Sequence, residues 1–152
     1  MQENVILVVE DCAEDASLVL IALKKWGIEN SVVVVPDGEK AVDYLAGNGS
    51  YSDRSSHPLP CLALLDLNLP QMSGFEVLEW IRSRSELKTL PVLVLSGTKN
   101  LKDFDQAHRL GANGCVVKTL DLSQLHDLIQ HLNYFSLASD YNNSTVEWSP
   151  EP

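Results

Sequence analysis

Residues 61–78 of the chain read CLALLDLNLPQMSGFEVL. The stretch opens with an unbroken apolar run, residues 61–65, which is typical of a parallel strand covered on both faces. Asp66 follows this run directly, and Ser73 with Glu76 forms the sequence pattern of a helix capping box. The stretch therefore predicts a buried strand, a short turn and a helix, with an acidic side chain where the strand ends.

Apolar runs and amphipathic stretches alternate on both sides of this segment, as in an α/β sheet. The predicted strands are Val5–Val9, Ser31–Val35, Cys61–Leu65, Pro91–Leu95 and Gly114–Val117. The predicted helices are Ala13–Trp26, Gly38–Ala46, Gly74–Arg84, Leu101–Leu110 and Leu122–Phe135. The polar, serine-rich residues 47–60 are expected to form an extended surface loop. We expect one domain over residues 1–135 and a C-terminal extension or tail over residues 136–152.

Composition limits the function classes. The 152 residues carry a formal net charge of -10 without clustered Lys and Arg, so direct nucleic-acid binding is not expected. The chain has no apolar run of about 18 residues and no signal-peptide pattern, so neither a membrane span nor secretion is expected. Cys12, Cys61 and Cys115 lack CxxC spacing, which favours reduced thiols and a cytoplasmic location.

Polar side chains follow the predicted strands at their carboxyl ends, where ligands bind in an open parallel sheet. Glu10 and Asp11 follow the first strand, Asp66 the third, Ser96 the fourth and Lys118 the fifth. Three carboxylates held together repel one another unless a cation lies among them, and Mg²⁺ suits such oxygen ligands. One carboxylate could then attack a phosphoryl group whose oxygens contact Ser96 and Lys118. Asp66 is the natural nucleophile because it follows the most apolar strand.

Four segments together resemble the receiver domain of two-component response regulators, over about residues 4–133. They are VVED at 8–11, LLDLNLPQMSG at 64–74, VLSG at 94–97 and VVK at 116–118. The resemblance implies a flavodoxin-like (βα)5 fold with a five-stranded parallel sheet in the order 2-1-3-4-5. It implies that Asp66 accepts a phosphoryl group from a sensor histidine kinase. Mg²⁺, with Mn²⁺ as an alternative, would be held by Glu10, Asp11, Asp66 and the backbone carbonyl of Asn68.

The resemblance also implies roles for the remaining site residues. Ser96 would be the conformational-switch hydroxyl and Lys118 would pair with the phosphoryl group. Asn68 and Thr98 fall where receiver domains tune hydrolysis of the acyl phosphate. The domain would catalyse its own phosphorylation and slow dephosphorylation without being a dedicated enzyme. Its phosphorylated form would contact a downstream protein or pass the phosphoryl group onward.

A narrower resemblance is to the single-domain regulators that partner bacterial phytochromes. It rests on EWIRSRSELKTLPVLVLSG at residues 79–97, the long insert before the third strand and an aromatic extension. This resemblance implies a phytochrome-type kinase. Two alternatives remain for the aromatic residues Tyr134, Phe135 and Tyr141, which either fold back on the domain or form a homodimer face.

Two positions depart from the family pattern. Cys115 stands where an aromatic residue usually takes part in the switch, and Thr119 stands where proline usually follows Lys118. A cis bond before a non-proline residue costs about 3–4 kcal/mol, so we expect the Lys118–Thr119 bond to be trans, or strained and held by its surroundings. These departures leave a pseudo-receiver, a phosphorylation-independent interaction module, as the alternative function.

Two enzyme and cofactor classes that share this topology fit poorly. Haloacid-dehalogenase-like phosphatases need a second Asp two residues after the nucleophile, and this position holds Asn68, which cannot exchange a proton. Flavodoxins bind a phosphate with the turn after the first strand. In this chain that turn reads EDCAED at residues 10–15, which would repel a phosphate.

Overall fold

A computed structural model of the chain describes residues 4–118 and 122–132. The strands are β1 (Val5–Val9), β2 (Val32–Val35), β3 (Pro60–Asp66), β4 (Val92–Ser96) and β5 (Gly114–Val117). The α-helices are α1 (Ala13–Lys25), α2 (Gly38–Ala46), α3 (Gly74–Ser83), α4 (Leu101–Arg109) and α5 (Ser123–Gln130), and short 3-10 helices span Gly49–Tyr51 and Ser85–Leu87. All strand pairs are parallel, in the order β2-β1-β3-β4-β5. The predicted flavodoxin-like fold is confirmed.

The predicted elements are all present, with small differences at their ends. β3 and β4 run one residue further than predicted, so Asp66 and Ser96 are the last residues of their strands. α5 begins at Ser123 because Leu122 has a left-handed backbone with φ 52°. The extension at 136–152, the predicted end of the last helix at Phe135 and the aromatic residues beyond it lie outside the described residues.

The core has two layers because successive residues of a strand face opposite sides of the sheet. Ile6 and Val8 pack with the apolar faces of α1 and α5, and Leu7 and Val9 pack with those of α2, α3 and α4. Burial on both faces explains why the strands are continuously apolar. None of the described helices combines the length and the hydropathy that a membrane span requires.

The start of α3 holds the end of β3 in place. Ser73 and Glu76 form the predicted capping box, in which each side chain accepts a hydrogen bond from the backbone N–H of the other. A Cβ on Gly74 would collide with the carbonyl oxygen of Asp66 and would lie 2.7 Å from Cα of Leu67. Only glycine therefore lets α3 begin so close to the strand that ends at Asp66.

The surface loop expected at residues 47–60 is present, since most of its residues are exposed, and hydrogen bonds anchor it to the end of α2. Arg54 donates hydrogen bonds of 2.7 Å to the carbonyl oxygens of both Tyr44 and Leu45. The hydroxyl of the buried Tyr44 donates to the carbonyl oxygen of Pro58, at 2.8 Å. The last carbonyls of a helix have no hydrogen-bond donor within the helix, so they need a donor from another segment. A single arginine in a loop can be that donor, and it forms no recognisable sequence pattern.

Candidate functional site

Asp66 is the buried centre of the site. Its side chain lies at the carboxyl end of the central strand β3 and the residue is 3% exposed. One carboxylate oxygen accepts a hydrogen bond from the backbone N–H of Asn68 at 3.0 Å, and the other accepts from Nζ of Lys118 at 3.3 Å. Both oxygens are thus held in place by hydrogen-bond donors.

A cluster of three acidic side chains surrounds this position. Glu10, Asp11 and Asp66 each offer a carboxylate oxygen, and these atoms lie within 4.8 Å of one another. Neighbouring parallel strands bring them together, because β1 and β3 pair in register and end at the same edge of the sheet. Glu10 is buried and Asp11 is exposed, so the cluster is open to solvent on one side. The exposed Asn68 lies two residues beyond Asp66.

The pKa of Glu10 is raised to about 7, mainly because burial disfavours the charged carboxylate. The ammonium of Lys118 acts in the opposite direction, and the nearby carboxylate of Asp66 adds to the rise. The other oxygen of Glu10 accepts a hydrogen bond from the backbone N–H of Cys12 at 3.2 Å. The cluster is therefore short of positive charge, and a divalent cation would relieve this shortage.

Lys118 contacts three carboxylates, of which Glu10 and Asp66 are among the residues predicted at this edge of the sheet and Asp15 is not. Its Nζ lies 2.9 Å from Glu10, 3.3 Å from Asp66 and 2.8 Å from Asp15 on α1. Burial by itself lowers the pKa of Lys118, but the hydrogen bonds to Asp15 and Glu10 and the charge of Asp66 outweigh it, so the net direction is upward. Asp15 escaped prediction because acids in the first turn of a helix are ordinarily explained by the helix dipole.

Ser96 ends β4 beside the acidic cluster. The residue is 2% exposed, and its carbonyl oxygen accepts a hydrogen bond of 2.7 Å from the backbone N–H of Lys118. Its hydroxyl donates to the carbonyl oxygen of Thr98 at 2.7 Å and lies 3.3 Å from the backbone nitrogen of Thr98. In this structure the hydroxyl thus holds the β4–α4 connection. Thr98 itself is exposed.

Cys115 lies half-buried on β5 and faces α4. Its Sγ is 3.8 Å from the carbonyl oxygen of Phe104, and burial raises the pKa of its thiol to about 11. Both residues line an open groove of about 360 Å³ whose other walls include Lys99 and Leu128. An aromatic side chain is therefore present beside this position, but on the helix rather than on the strand. The Lys118–Thr119 bond lies outside the described residues.

Fold and site together define a receiver domain. The family model described as the response regulator receiver domain matches residues 6–130, and the chain belongs to this family. It is a response regulator and not a member of a dedicated enzyme family.

Among characterised proteins, the chain is similar to response regulator Rcp1 of Synechocystis sp., with 37% identity over 88% of this chain and 89% of Rcp1. The alignment with the Mn²⁺-bound structure of Rcp1 covers 96% of this chain and 99% of that structure's chain, with a TM-score of 0.74 and 35% identity. The alignment with the structure of the phosphorylated cyanobacterial phytochrome response regulator RcpA covers 95% of this chain and 97% of RcpA, with a TM-score of 0.75 and 35% identity. The bacteriophytochrome response regulator AtBRR is 38% identical over 86% of this chain and 92% of AtBRR, with a TM-score of 0.75. The narrower resemblance to phytochrome-associated regulators is confirmed.

Proposed function

We propose that this protein accepts a phosphoryl group on Asp66 from the phosphohistidine of a sensor kinase, in a reaction that requires Mg²⁺. The observation that carries the proposal is the Asp66 carboxylate, which is buried at the sheet edge between the Asn68 N–H and the Lys118 ammonium. The phosphorylated state of the similar protein RcpA supports it.

The carboxylates of the site fit a divalent cation. Glu10, Asp11 and Asp66 would hold it with their clustered carboxylates, and the backbone carbonyl of Asn68 would complete the protein ligands. The Mn²⁺-bound form of Rcp1 supports a divalent ion, and Mg²⁺ is the ion that such hydrated oxygen sites ordinarily take. When bound, the cation neutralises part of the negative charge that would otherwise keep a phosphoryl group away from Asp66.

The chemistry is a direct displacement at phosphorus. An oxygen of Asp66 forms a bond to phosphorus while the bond from phosphorus to the donor imidazole nitrogen breaks. The electron pair of that bond stays with this nitrogen, and the imidazole leaves neutral when its other nitrogen carries a proton. Lys118 supplies a positive charge to the transferred group from its position 3.3 Å from Asp66.

Ser96 would convert phosphorylation into a structural change. Its hydroxyl has one proton, which it donates to the carbonyl oxygen of Thr98. Donation to a phosphoryl oxygen on Asp66 would break that bond and release the β4–α4 connection. The connection leads to Asn100, whose side chain accepts hydrogen bonds from the backbone N–H groups of Lys102 and Asp103 and so caps α4.

Cys115 and Phe104 would carry this change to the surface. The backbone carbonyl oxygen of Asn100 accepts a hydrogen bond from the backbone N–H of Phe104 at 3.0 Å, so a shift of Asn100 would move Phe104. The small side chain of Cys115 leaves an open groove beside that ring. We infer that Phe104, on α4, moves in this groove in place of an aromatic residue on β5.

Asn68 and Thr98 are exposed and follow the ends of β3 and β4, where they would control the access of water and hence the lifetime of the acyl phosphate. On α1, the residues Leu18, Leu20 and Ile21 are 40%, 37% and 63% exposed, which supports an apolar docking face for the kinase next to Lys118. Similarity to phytochrome regulators favours a phytochrome-type kinase in the cytoplasm, where three free cysteines would stay reduced.

The output would be a contact with a downstream protein or an onward phosphoryl transfer. A homodimer through Tyr134, Phe135 and Tyr141, one of the two alternatives for these residues, remains part of this proposal, and its test is the mass in solution by light scattering with and without phosphorylation. The 1–135 domain and the 136–152 extension remain the proposed division of the chain.

The deciding experiment is the intact mass of the protein after incubation with Mg²⁺ and acetyl phosphate. We expect the gain of one phosphoryl group, which chelator and Asp66→Asn abolish. Asp105→Asn is the matched control, because it removes an equal charge from an exposed ion pair with Arg109 on α4. If the native protein gains no mass from acetyl phosphate or from a phosphorylated phytochrome-type kinase, the pseudo-receiver function takes the place of this proposal.

A further inference from the structure

The ammonium of Lys118 is shared among three carboxylates that come from different parts of the fold. Glu10 follows β1, Asp66 ends β3 and Asp15 lies in the first turn of α1. The contact with Asp15, at 2.8 Å, is the shortest of the three. A lysine ammonium has three hydrogens to donate, so these carboxylates can use all of them.

The three partners are not equivalent. Glu10 and Asp66 belong to the acidic cluster whose oxygens lie within 4.8 Å of one another, and Asp15 stands outside it. A divalent cation in that cluster would repel the ammonium and would engage the oxygens of Glu10 and Asp66 on which the ammonium rests. Asp15 would then be the carboxylate that still holds Nζ.

We propose that Asp15 is a positioning residue that holds the Lys118 ammonium beside Asp66 when a divalent cation occupies the acidic cluster. The inference deepens the proposed function and rests on it. Asp15 acts through Lys118, which is the group that meets the incoming phosphoryl oxygens. Its contribution is to prevent the ammonium from moving into solvent when the cation arrives.

The surrounding structure suits such a role. The backbone of Lys118 is fixed by its N–H bond to the carbonyl oxygen of Ser96, but its side chain is a flexible four-carbon stem that needs an anchor at its far end. Asp15 is a firm anchor because its helix is secured by the buried Val19 and Leu23. Asp15 and Lys118 therefore approach from two packed elements, and only their side chains have freedom to adjust.

The test compares Asp15→Asn with Asp15→Leu. The two variants lose the same charge and have side chains of similar size, but only asparagine keeps an oxygen that accepts a hydrogen bond from Nζ. Glu14→Gln is the matched control, because Glu14 is the exposed acid next to Asp15 in the same helical turn. A charge effect without positioning would affect all three variants alike.

The first measurement is the rate at which an amine-acylating reagent modifies Lys118 in the presence of Mn²⁺, followed by peptide mass mapping. We expect modification in Asp15→Leu to be about fivefold faster than in the native protein, because a released ammonium reaches solvent. Asp15→Asn should lie between the two, and Glu14→Gln should match the native rate. The second measurement is the initial rate of phosphorylation by acetyl phosphate, which should fall about tenfold in Asp15→Leu and about two- to threefold in Asp15→Asn.

Equal modification of Lys118 in all four proteins would overturn the inference, even if the native protein is phosphorylated normally. Equal phosphorylation rates for the leucine and asparagine variants would also overturn it, because charge alone would then explain the loss. The expected pattern of Lys118 modification, together with no phosphorylation of the native protein, would support the hold of Asp15 on Lys118 and refute the proposed function.

Discussion

The cationic side chains of Lys118 and Arg82 are held by different kinds of hydrogen-bond acceptor. The comparison distinguishes a region that responds to added charge from a region that does not. Lys118 contacts three carboxylates, and two of them, Glu10 and Asp66, belong to the acidic cluster that would bind the cation. Arg82 on α3 donates mainly to backbone carbonyls. Its acceptors are the carbonyl oxygens of Gly111, Leu87, Lys88 and Leu90 and the side-chain oxygen of Asn113, at 2.8–3.2 Å.

The difference lies in what each cation responds to. Backbone carbonyls are neutral and do not titrate, so protonation does not act directly on the main acceptors of Arg82. Burial lowers the pKa of Arg82, but a guanidinium stays protonated in proteins. Lys118 lies among charged side chains, so one added charge changes the electrostatic forces on its ammonium. The fold thus uses arginine where a connection must be constant, and lysine where it must respond.

Arg82→Met removes the hydrogen bonds to backbone carbonyls, and we expect it to have the largest effect of the changes compared. It leaves several partly buried carbonyls without a donor, so we expect the free energy of unfolding to fall by about 3 kcal/mol. The phosphorylation rate of the folded protein should stay within about twofold of the native rate, since the variant leaves the strand-end site intact. Urea unfolding and acetyl phosphate kinetics measure the two quantities. Arg84→Met is the control, because Arg84 forms an exposed ion pair with Glu86.

Lys118→Met should give the converse result. We expect phosphorylation to slow by about 100-fold, which corresponds to about 2.7 kcal/mol of transition-state stabilisation. Stability should change by only about 1 kcal/mol, because Glu10 can take up a proton when its cation is lost. A variant that is severely unfolded but phosphorylates at the native rate would contradict the distinction between the two cations.

The pH dependence of stability tests how the charged groups around Lys118 respond to protonation. The pKa of Glu10 is about 7 in the folded protein, against an ordinary 4.5. Between these values the unfolded chain loses the proton that the folded protein keeps, so stability contributed by Glu10 is lost as pH rises through 7. In chelator we expect a fall of about 2.5 kcal/mol from pH 4.5 to 7.

Two comparisons isolate this contribution. The fall should be absent from Glu10→Gln, whose side chain does not titrate. It should shrink when Mn²⁺ is added, because a bound cation favours the ionised carboxylate. The measurement is urea unfolding across pH, and an unchanged slope in Glu10→Gln would mean that another group is responsible.

Arg54→Met should have the smallest effect and extends the comparison to the loop at 47–60. Like Arg82, Arg54 donates to backbone carbonyls, those of Tyr44, Leu45 and His57. Its loss should destabilise the fold by about 1.5 kcal/mol. The protease sensitivity of residues 47–60 should rise, whereas phosphorylation should be unaffected. Cleavage at the native rate would show that the loop is held by Tyr44 and its neighbours alone.

The fold and most of the site could be predicted because both depend on local pattern. Continuous apolar runs marked the strands, and the pattern of Ser73 with Glu76 marked the start of a helix, as the observed capping box confirms. Residues directly after parallel strands necessarily meet at one edge of the sheet. This rule placed Glu10, Asp11 and Asp66 together and brought Lys118 to them, without any knowledge of side-chain geometry.

Only the tertiary structure decides which residues the long side chains contact. Lys118 meets Asp15 from 103 positions away in the sequence, and Arg82 meets Asn113 from 31 positions away. Local pattern predicts where a strand or a helix ends, because backbone hydrogen bonding and burial act over a few residues. The acceptor that a flexible cation reaches depends on how helices pack against the sheet. That packing is a property of the whole fold, so no short stretch of sequence encodes it.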